Sequence, residues 1–351
     1  MLSFCDSIYI KYPNLYTRVF LMNIKTILFI LSFLYISADG STLKGRGASF
    51  PKAVYHAWIK AYKDESNISI DYQPTGSGDG IISAVKRIST FSGTDKPLRP
   101  WRLRRYKLHM FPVVVGSIVL AYNIPGIEDK KLRLDEKAIA GIFSGKIKYW
   151  DDKHIQKNNM DLSLPHKPIH AVLRSDGSGT TYNFTYYLRK IAYKDFRFAS
   201  KLPDWDVSGI RAKGNSGMSK TIKNTPYSIG YTDYSSKLKY ELSVATLKNR
   251  AGYWVSPNIQ SAKQGAKSAN LDIKKDFYGM IVYPKGKKSY PLIATTFILI
   301  PDNNSKENKE VVKFFKWAFQ NGSDIAESYG FSMLPSTTIK DIDTYFHRLQ
   351  L

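Results

Sequence analysis

The sequence predicts an α/β protein. Three observations carry that prediction. From residue 40 onward, short β-rich runs alternate with stretches of helical periodicity; three strand-to-helix turns are built from small residues; and no internal repeat or low-complexity tract breaks the alternation. The 351 residues, 43% hydrophobic and 14% aromatic, hold an ordinary core inventory long enough for two domains. Intrinsic disorder, collagen-like repetition and a multi-pass membrane protein are thereby excluded.

In chain order, Ser41–Lys44 reads as a strand, and Gly45-Arg46-Gly47-Ala48-Ser49-Phe50 leads into Pro51. Proline suits a first helical turn, where its missing N–H is no loss. Val54, Trp58 and Tyr62, four apart, give that helix one apolar stripe as far as Glu65. Ile68–Tyr72 alternates as a strand, and Thr75-Gly76-Ser77-Gly78-Asp79-Gly80 opens a helix carrying Ile81, Ile82 and Val85. A third strand lies near Phe111–Tyr122 and a fourth at Ile169–Leu173. Asp176-Gly177-Ser178-Gly179-Thr180 then starts a helix through Tyr187, Leu188 and Ile191. Ile293–Ile300 is β-prone, and a last helix spans Lys309 to Phe319 with Val312, Phe315, Trp317 and Ala318.

Residues 22–40 carry the marks of a secretory signal: Lys25, an apolar run from Ile27 to Ile36, and Ala38-Asp39-Gly40 as a small-residue exit. The run is shorter than the roughly 17–25 residues of a bilayer span. Met22 is the expected start, and cleavage after Ala38 or Gly40 would remove Cys5, the only cysteine. With no cysteine after the apolar run, a lipoprotein is not expected; a disulfide-free periplasmic protein is. Lys and Arg total 52 against 29 Asp and Glu, and removing residues 1–40 takes away three cations and two carboxylates, so +23 becomes +22. Such a field favours anionic partners. The histidines His56, His109, His154, His166, His170 and His347 show no metal-ligand spacing, and Pro165 and Pro168 forbid the helix that would align His166 with His170. No metal or cofactor is expected.

The three small-residue turns carry the chemistry. The first turn of a helix offers unpaired N–H groups and partial positive charge, Ser or Thr adds a hydroxyl, and glycine lets the backbone approach closely. One such turn usually only caps its helix; three in one chain point to an oxyanion site that needs no lysine. Arg174, two residues before Asp176, could hold two oxygens of a phosphate with its fork or pair with a carboxylate at the strand end. Asp95 suits an oxyanion only if the ligand carries a proton for it to accept; a fully ionised anion such as sulfate would leave it unpaired and repelled.

These motifs resemble the phosphate-binding proteins of bacterial ABC-type phosphate transporters. The resemblance is carried by Gly45–Pro51, Gly76–Gly80, Gly93-Thr94-Asp95-Lys96-Pro97-Leu98 and Arg174–Thr180, with support from Thr295–Ile300 and Lys313–Ala318. It runs from residue 42 to the end. It implies a two-lobed periplasmic binding protein of type II-like architecture, each lobe a mixed sheet flanked by helices, with the ligand in the interlobe cleft. Lobe 1 would comprise residues 41–115 plus 294–351 and lobe 2 residues 116–293, with crossovers near 112–118 and 290–298.

Residue by residue, the resemblance assigns phosphate to Ser49, the Phe50 backbone N–H, Ser77 and Asp95 on one lobe, and to Arg174, Ser178, Gly179 and Thr180 on the other. Asp176 would restrain Arg174. Ser49 stands where threonine is common, and Asp79 adds a carboxylate near the site that relatives lack. The implied function is capture of inorganic phosphate, without chemistry, and delivery by a monomer to an inner-membrane ABC permease with two transmembrane subunits and an ATPase. Arsenate, which also carries a proton, is the nearest competing ligand. Two alternatives stand beside this one. A phosphate-ester hydrolase would use Ser178 or Ser77 as nucleophile but lacks a recognisable base or metal. A basic surface or nucleic-acid-binding protein would use the segment Leu98–Lys107 and the lysines of 263–267 and 285–288; the plainer view of these is a solvated basic face.

Overall fold

The computed structural model describes residues 42–66, 68–268 and 271–351; the expected signal segment and Cys5 lie outside the described residues. The chain begins β1 (Leu43–Gly47), α1 (Lys52–Ser66), β2 (Ile70–Gln73), α2 (Ser77–Lys86), β3 (Phe91–Thr94), α3 (Pro100–Tyr106) and β4 (Leu108–Asn123). It continues through β5 (Arg133–Leu134), α4 (Glu136–Phe143), α5 (Lys153–Gln156), β6 (His170–Arg174), α6 (Gly179–Ile191), β7 (Gly209–Ala212), α7 (Gly214–Asn224), β8 (Ser228–Asp233) and α8 (Tyr234–Tyr240). Then come β9 (Ser243–Val244), β10 (Thr246–Lys248), β11 (Trp254–Val255), α9 (Ile259–Ala266), β12 (Ile293–Pro301), α10 (Lys306–Asn321), α11 (Ser323–Ser328), β13 (Phe331–Met333) and α12 (Ser336–Arg348).

The main sheet runs β2-β1-β3-β12-β4-β8-β6-β7, with β13 and β9 also pairing with β4; β11-β10-β5 form a small second sheet. β1 is parallel to β2 and β3, and β6 is parallel to β7 and β8. The long strands β12 and β4 run antiparallel between these groups. β4 changes partner midway: Leu108–Ser117 face β12, and Ile118–Asn123 face β8. Its 16 residues are buried except at His109 and Asn123, a near-continuous apolar run suited to a strand covered on both faces.

Two aromatic clusters pack against the sheet. Tyr55, Tyr72, Phe91, Phe111 and Phe315 meet under β1, β3 and β12, while Phe143, Phe184, Trp205 and Tyr231 meet beside β6 and β8. α1 buries the expected stripe, Val54, Trp58 and Tyr62, together with Tyr55. α2 departs from the apolar-stripe pattern: its buried face is Ser77, Gly78, Gly80, Ser83 and Ala84, and Ile82 is 52% exposed. Small residues are required there because a Cβ on Gly80 would stand 2.9 Å from the Gly47 Cα and closer still to the Gly93 carbonyl. The basic segment after Asp95 is helical over Pro100–Tyr106 and anchored by buried Leu103, with Arg99, Arg102, Arg104, Arg105 and Lys107 exposed.

A candidate oxyanion site at the strand ends

Parallel strands in α/β sheets present their carboxyl ends, and the helix N-termini that follow, to a common crevice. β1 ends before Ser49 and Phe50, β3 before Asp95, and β6 with Arg174. α2 begins at Ser77, and α6 begins at Gly179 with Ser178 as its N-cap. The structure therefore brings residues from four separate stretches of chain to one seam.

On one side, Ser77 and Asp95 are each 1% exposed. The Ser77 hydroxyl donates to Asp95 Oδ2 at 3.2 Å and accepts from the Asp95 backbone N–H at 3.0 Å. Asp95 Oδ1 has no hydrogen-bond partner, nor do the hydroxyls of Thr296 and Tyr55 beside it. Burial lifts the Asp95 carboxyl to about 7, against the pull of the neighbouring Thr296 and Ser77 hydroxyls and the Arg174 charge. By hydrogen-bond geometry this buried acceptor is unpaired, with the Thr296 hydroxyl close enough to stabilise its charge, and it is open to a further donor.

On the other side, Arg174 is buried and held rigidly. Its Nε donates to Asp176 Oδ1 at 2.7 Å, Nη2 to Asp176 Oδ2 at 2.5 Å, and Nη1 to Asn215 Oδ1 at 2.6 Å. Both sequence expectations for Arg174 thus meet in one side chain: its fork grips a carboxylate, and the remaining N–H on each Nη is left for another acceptor. Burial would raise Asp176, but the hydrogen bonds and charge of Arg174 and the Gly214 N–H hold it below the usual carboxylate range. Ser178 caps α6 by accepting from Thr181 N–H at 3.1 Å, and its own N–H is bonded to the Lys201 carbonyl. The first-turn N–H groups of Gly179 and Thr180 have no partner within the helix, as its geometry requires.

The two sides touch. Gly78 N–H donates to the Gly177 carbonyl at 2.7 Å, and Asn183 Nδ2 donates to the Asp95 carbonyl at 2.7 Å. A Cβ on Gly179 would lie 2.6 Å from Asp95 Oδ2 and closer to the Ser77 hydroxyl, so only glycine fits there. Ser49 and Phe50 line a neighbouring cavity of about 750 Å³, shared with Asn215 and Asp233. Asp79 is not a bare charge: it accepts from Arg46 Nε at 2.8 Å and from the Thr75 hydroxyl at 2.5 Å.

The sequence did not single out Asn215, Asp233, Asn183 or Thr296 as site residues. Asn215 links Arg174 to Asp233, donating to Asp233 Oδ2 at 2.7 Å. Burial raises the Asp233 carboxyl despite the hydrogen bonds from Ser236 and Asn215. Thr296 sits at the bulge between Thr296 and Phe297 of β12, where the pairing register with β4 shifts. None of these has a local sequence signal, because each acts through a partner far away in the chain.

A family model described as the PBP superfamily domain matches residues 36–321, and that superfamily is the class in which this fold falls. The phosphate-binding protein PstS of Haemophilus influenzae is 36% identical over 309 residues, covering 87% of this chain and 92% of its own length. The chain belongs to this family of PstS phosphate-binding proteins. Among solved structures, a high affinity periplasmic phosphate-binding protein (PfluDING) bound with phosphate aligns with a TM-score of 0.69 at 19% identity, over 86% of this chain and 93% of that one. An ABC-type phosphate transport receptor from Vibrio cholerae aligns with a TM-score of 0.54 at 16% identity, over 83% and 99%. At such identities these two likenesses concern the fold.

Proposed function

We propose that this protein is a solute-binding protein that captures inorganic phosphate (HPO4/H2PO4) at the seam and hands it to an ABC-type permease. It is a binding protein, not an enzyme. The observation that carries the ligand assignment is Asp95, a buried carboxylate with an unpartnered oxygen set among anion donors. Donors alone would accept any oxyanion; one fixed acceptor favours an anion that still carries a proton. In this reading Ser77 and the backbone N–H of Phe50 donate from one side, with Ser49 at the cavity edge. Arg174, Ser178, Gly179 and Thr180 donate from the other. Asp176 and Asn215 hold the guanidinium in place so that binding spends no free energy on ordering it.

The partner change in β4 supports a division into one lobe of residues 41–115 plus 294–351 and another of 116–293. Ligand capture would then be closure of the two lobes on one anion. Export through a signal segment to the periplasm as a monomer without a lipid anchor, and a permease of two transmembrane subunits with an ATPase, complete the proposal. Among the described residues, no helix is long and apolar enough to cross a membrane. The test is isothermal titration of protein stripped of ligand, first with phosphate and then with sulfate. Micromolar or tighter phosphate binding with no sulfate response is expected; absence of heat with either anion would overturn the proposal.

A further inference from the structure

A group of cations beside the cleft remains without a role. Lys96 follows Asp95 directly, and its Nζ lies 4.6 Å from the centre of the Tyr182 ring on α6. Lys201 belongs to the loop after α6; its carbonyl accepts from the N–H of Ser178, and Ser200 before it is bonded at both its N–H and its carbonyl to the Thr185 hydroxyl. The two lysines therefore lie against successive turns at the start of α6, one arriving from each side of the seam. α3 adds Arg99, its N-cap, and Arg102, whose guanidinium packs over Trp101 at 5.2 Å.

Both lysines are half-buried. Lys96 is lowered first by burial and then by the charges of Lys201, Arg102 and Arg99; Lys201 is lowered by burial and by Arg102. Among the described residues no carboxylate forms an ion pair with any of the four, and Asp204 and Asp206 of the same loop are exposed and pair with none of them. Arg99 and Arg102 are exposed beside these two half-buried lysines, and like charges so gathered raise the free energy of the fold unless a counter-ion joins them. Two guanidinium forks match tetrahedral oxyanions bidentately, and four cations call for more than one negative charge.

We propose that Lys96, Arg99, Arg102 and Lys201 form a second oxyanion site, beside the cleft, for a multiply charged phosphate-type anion such as a condensed phosphate or a phosphate headgroup. It shares no side chain with the proposed phosphate ring and stands or falls separately. Because Lys96 is joined to Asp95 and Lys201 to Ser178, an anion here also draws the two sides of the seam together.

The test uses phosphate-saturated protein in two arms: titration with pyrophosphate at low salt, and co-sedimentation with phosphatidylglycerol vesicles. The same arms are run on the Arg102→Gln/Lys201→Gln double variant, with retention of radiolabelled phosphate as the check on folding and on the cleft. Binding in one arm is expected to weaken at least roughly tenfold in the variant and with added salt, while phosphate retention is kept. The arm that responds identifies the source of the anion. Binding in neither arm, binding unchanged by the double substitution, or pyrophosphate that merely expels phosphate would overturn the site. A failure to retain phosphate in wild-type protein would instead count against the proposed function.

Discussion

In the proposed function Asp95 sets which anions the site accepts, and its environment gives it a measurable pH signature. Its folded value, about 7, lies above the ordinary 3.8, so between those values the native state binds more protons than the unfolded chain. The stability it contributes is complete below 3.8 and lost as pH rises through about 7. Ligand-free protein should therefore show a melting temperature that falls across this window, with the slope reduced in Asp95→Asn; an equal slope in the variant would assign the effect to other groups. The same proton bears on selectivity. Below its pKa, Asp95 becomes a donor, so sulfate should gain affinity in acid, and competition against labelled phosphate at acidic and alkaline pH reads this directly. Asp95→Asn should narrow phosphate–sulfate discrimination by roughly 10- to 100-fold, since a hydrogen bond to a charged group contributes about 1.5–3 kcal/mol. Discrimination that survives the substitution would remove the acceptor role. Arg174→Ala should both weaken phosphate and lower stability, because it strands Asp176 and Asn215; breaking a buried pair from one side costs about 3–5 kcal/mol. Denaturant unfolding of the ligand-free variant separates the stability loss from the binding loss, and wild-type affinity in a folded variant would make Arg174 purely structural.

At the scale of elements, the site is made by helix starts placed against strand ends. α6 matters most: its cap, its free N–H groups and Asn183 one turn on all face the seam. Gly179 occupies the first helical position, where alanine meets no backbone strain but its Cβ would strike Ser77 and Asp95. Gly179→Ala is therefore expected to keep the helical circular dichroism of the wild type and to lose phosphate affinity by two orders of magnitude or more, roughly the loss of two charged hydrogen bonds. Unchanged affinity in titration would mean that the bound seam is wider than the arrangement described above. The β12 bulge illustrates the opposite dependence, since it shifts the register next to Thr296 only because β4 lies alongside.

Across the molecule, β4 belongs to both halves of the sheet, pairing first with β12 and then with β8, so ligand and fold are coupled. Phosphate at about 100 times its dissociation constant should add about 2.7 kcal/mol to unfolding in a single transition. Two separately shifted transitions in calorimetry would contradict that coupling. Much of this architecture was legible beforehand. The apolar stripe of α1, the β-rich runs that became β4, β6 and β12, and the glycine-serine turns before α2 and α6 are local patterns, and local patterns report backbone periodicity and capping directly. The resemblance extended them to a residue set that the structure gathers at one seam, with Ser49 and Phe50 on the adjoining cavity. Less was legible where a residue's role depends on its distant neighbour. α2 reads as carrying Ile82 but buries its small residues, because the close approach of Gly47, Gly80 and Gly93 is a property of two strands and a helix together. Asn215, Asp233 and Thr296 look like ordinary turn and strand residues until folding sets them beside Arg174 and Asp95. The sequence by itself determined the α/β alternation, the capped helix starts and the residue types able to hold an oxyanion, since these follow from periodicity and side-chain chemistry. Tertiary structure alone decided which oxygen of Asp95 stays open, how Arg174 is clamped and where four cations converge, because burial and long-range contact exist only once the chain has folded.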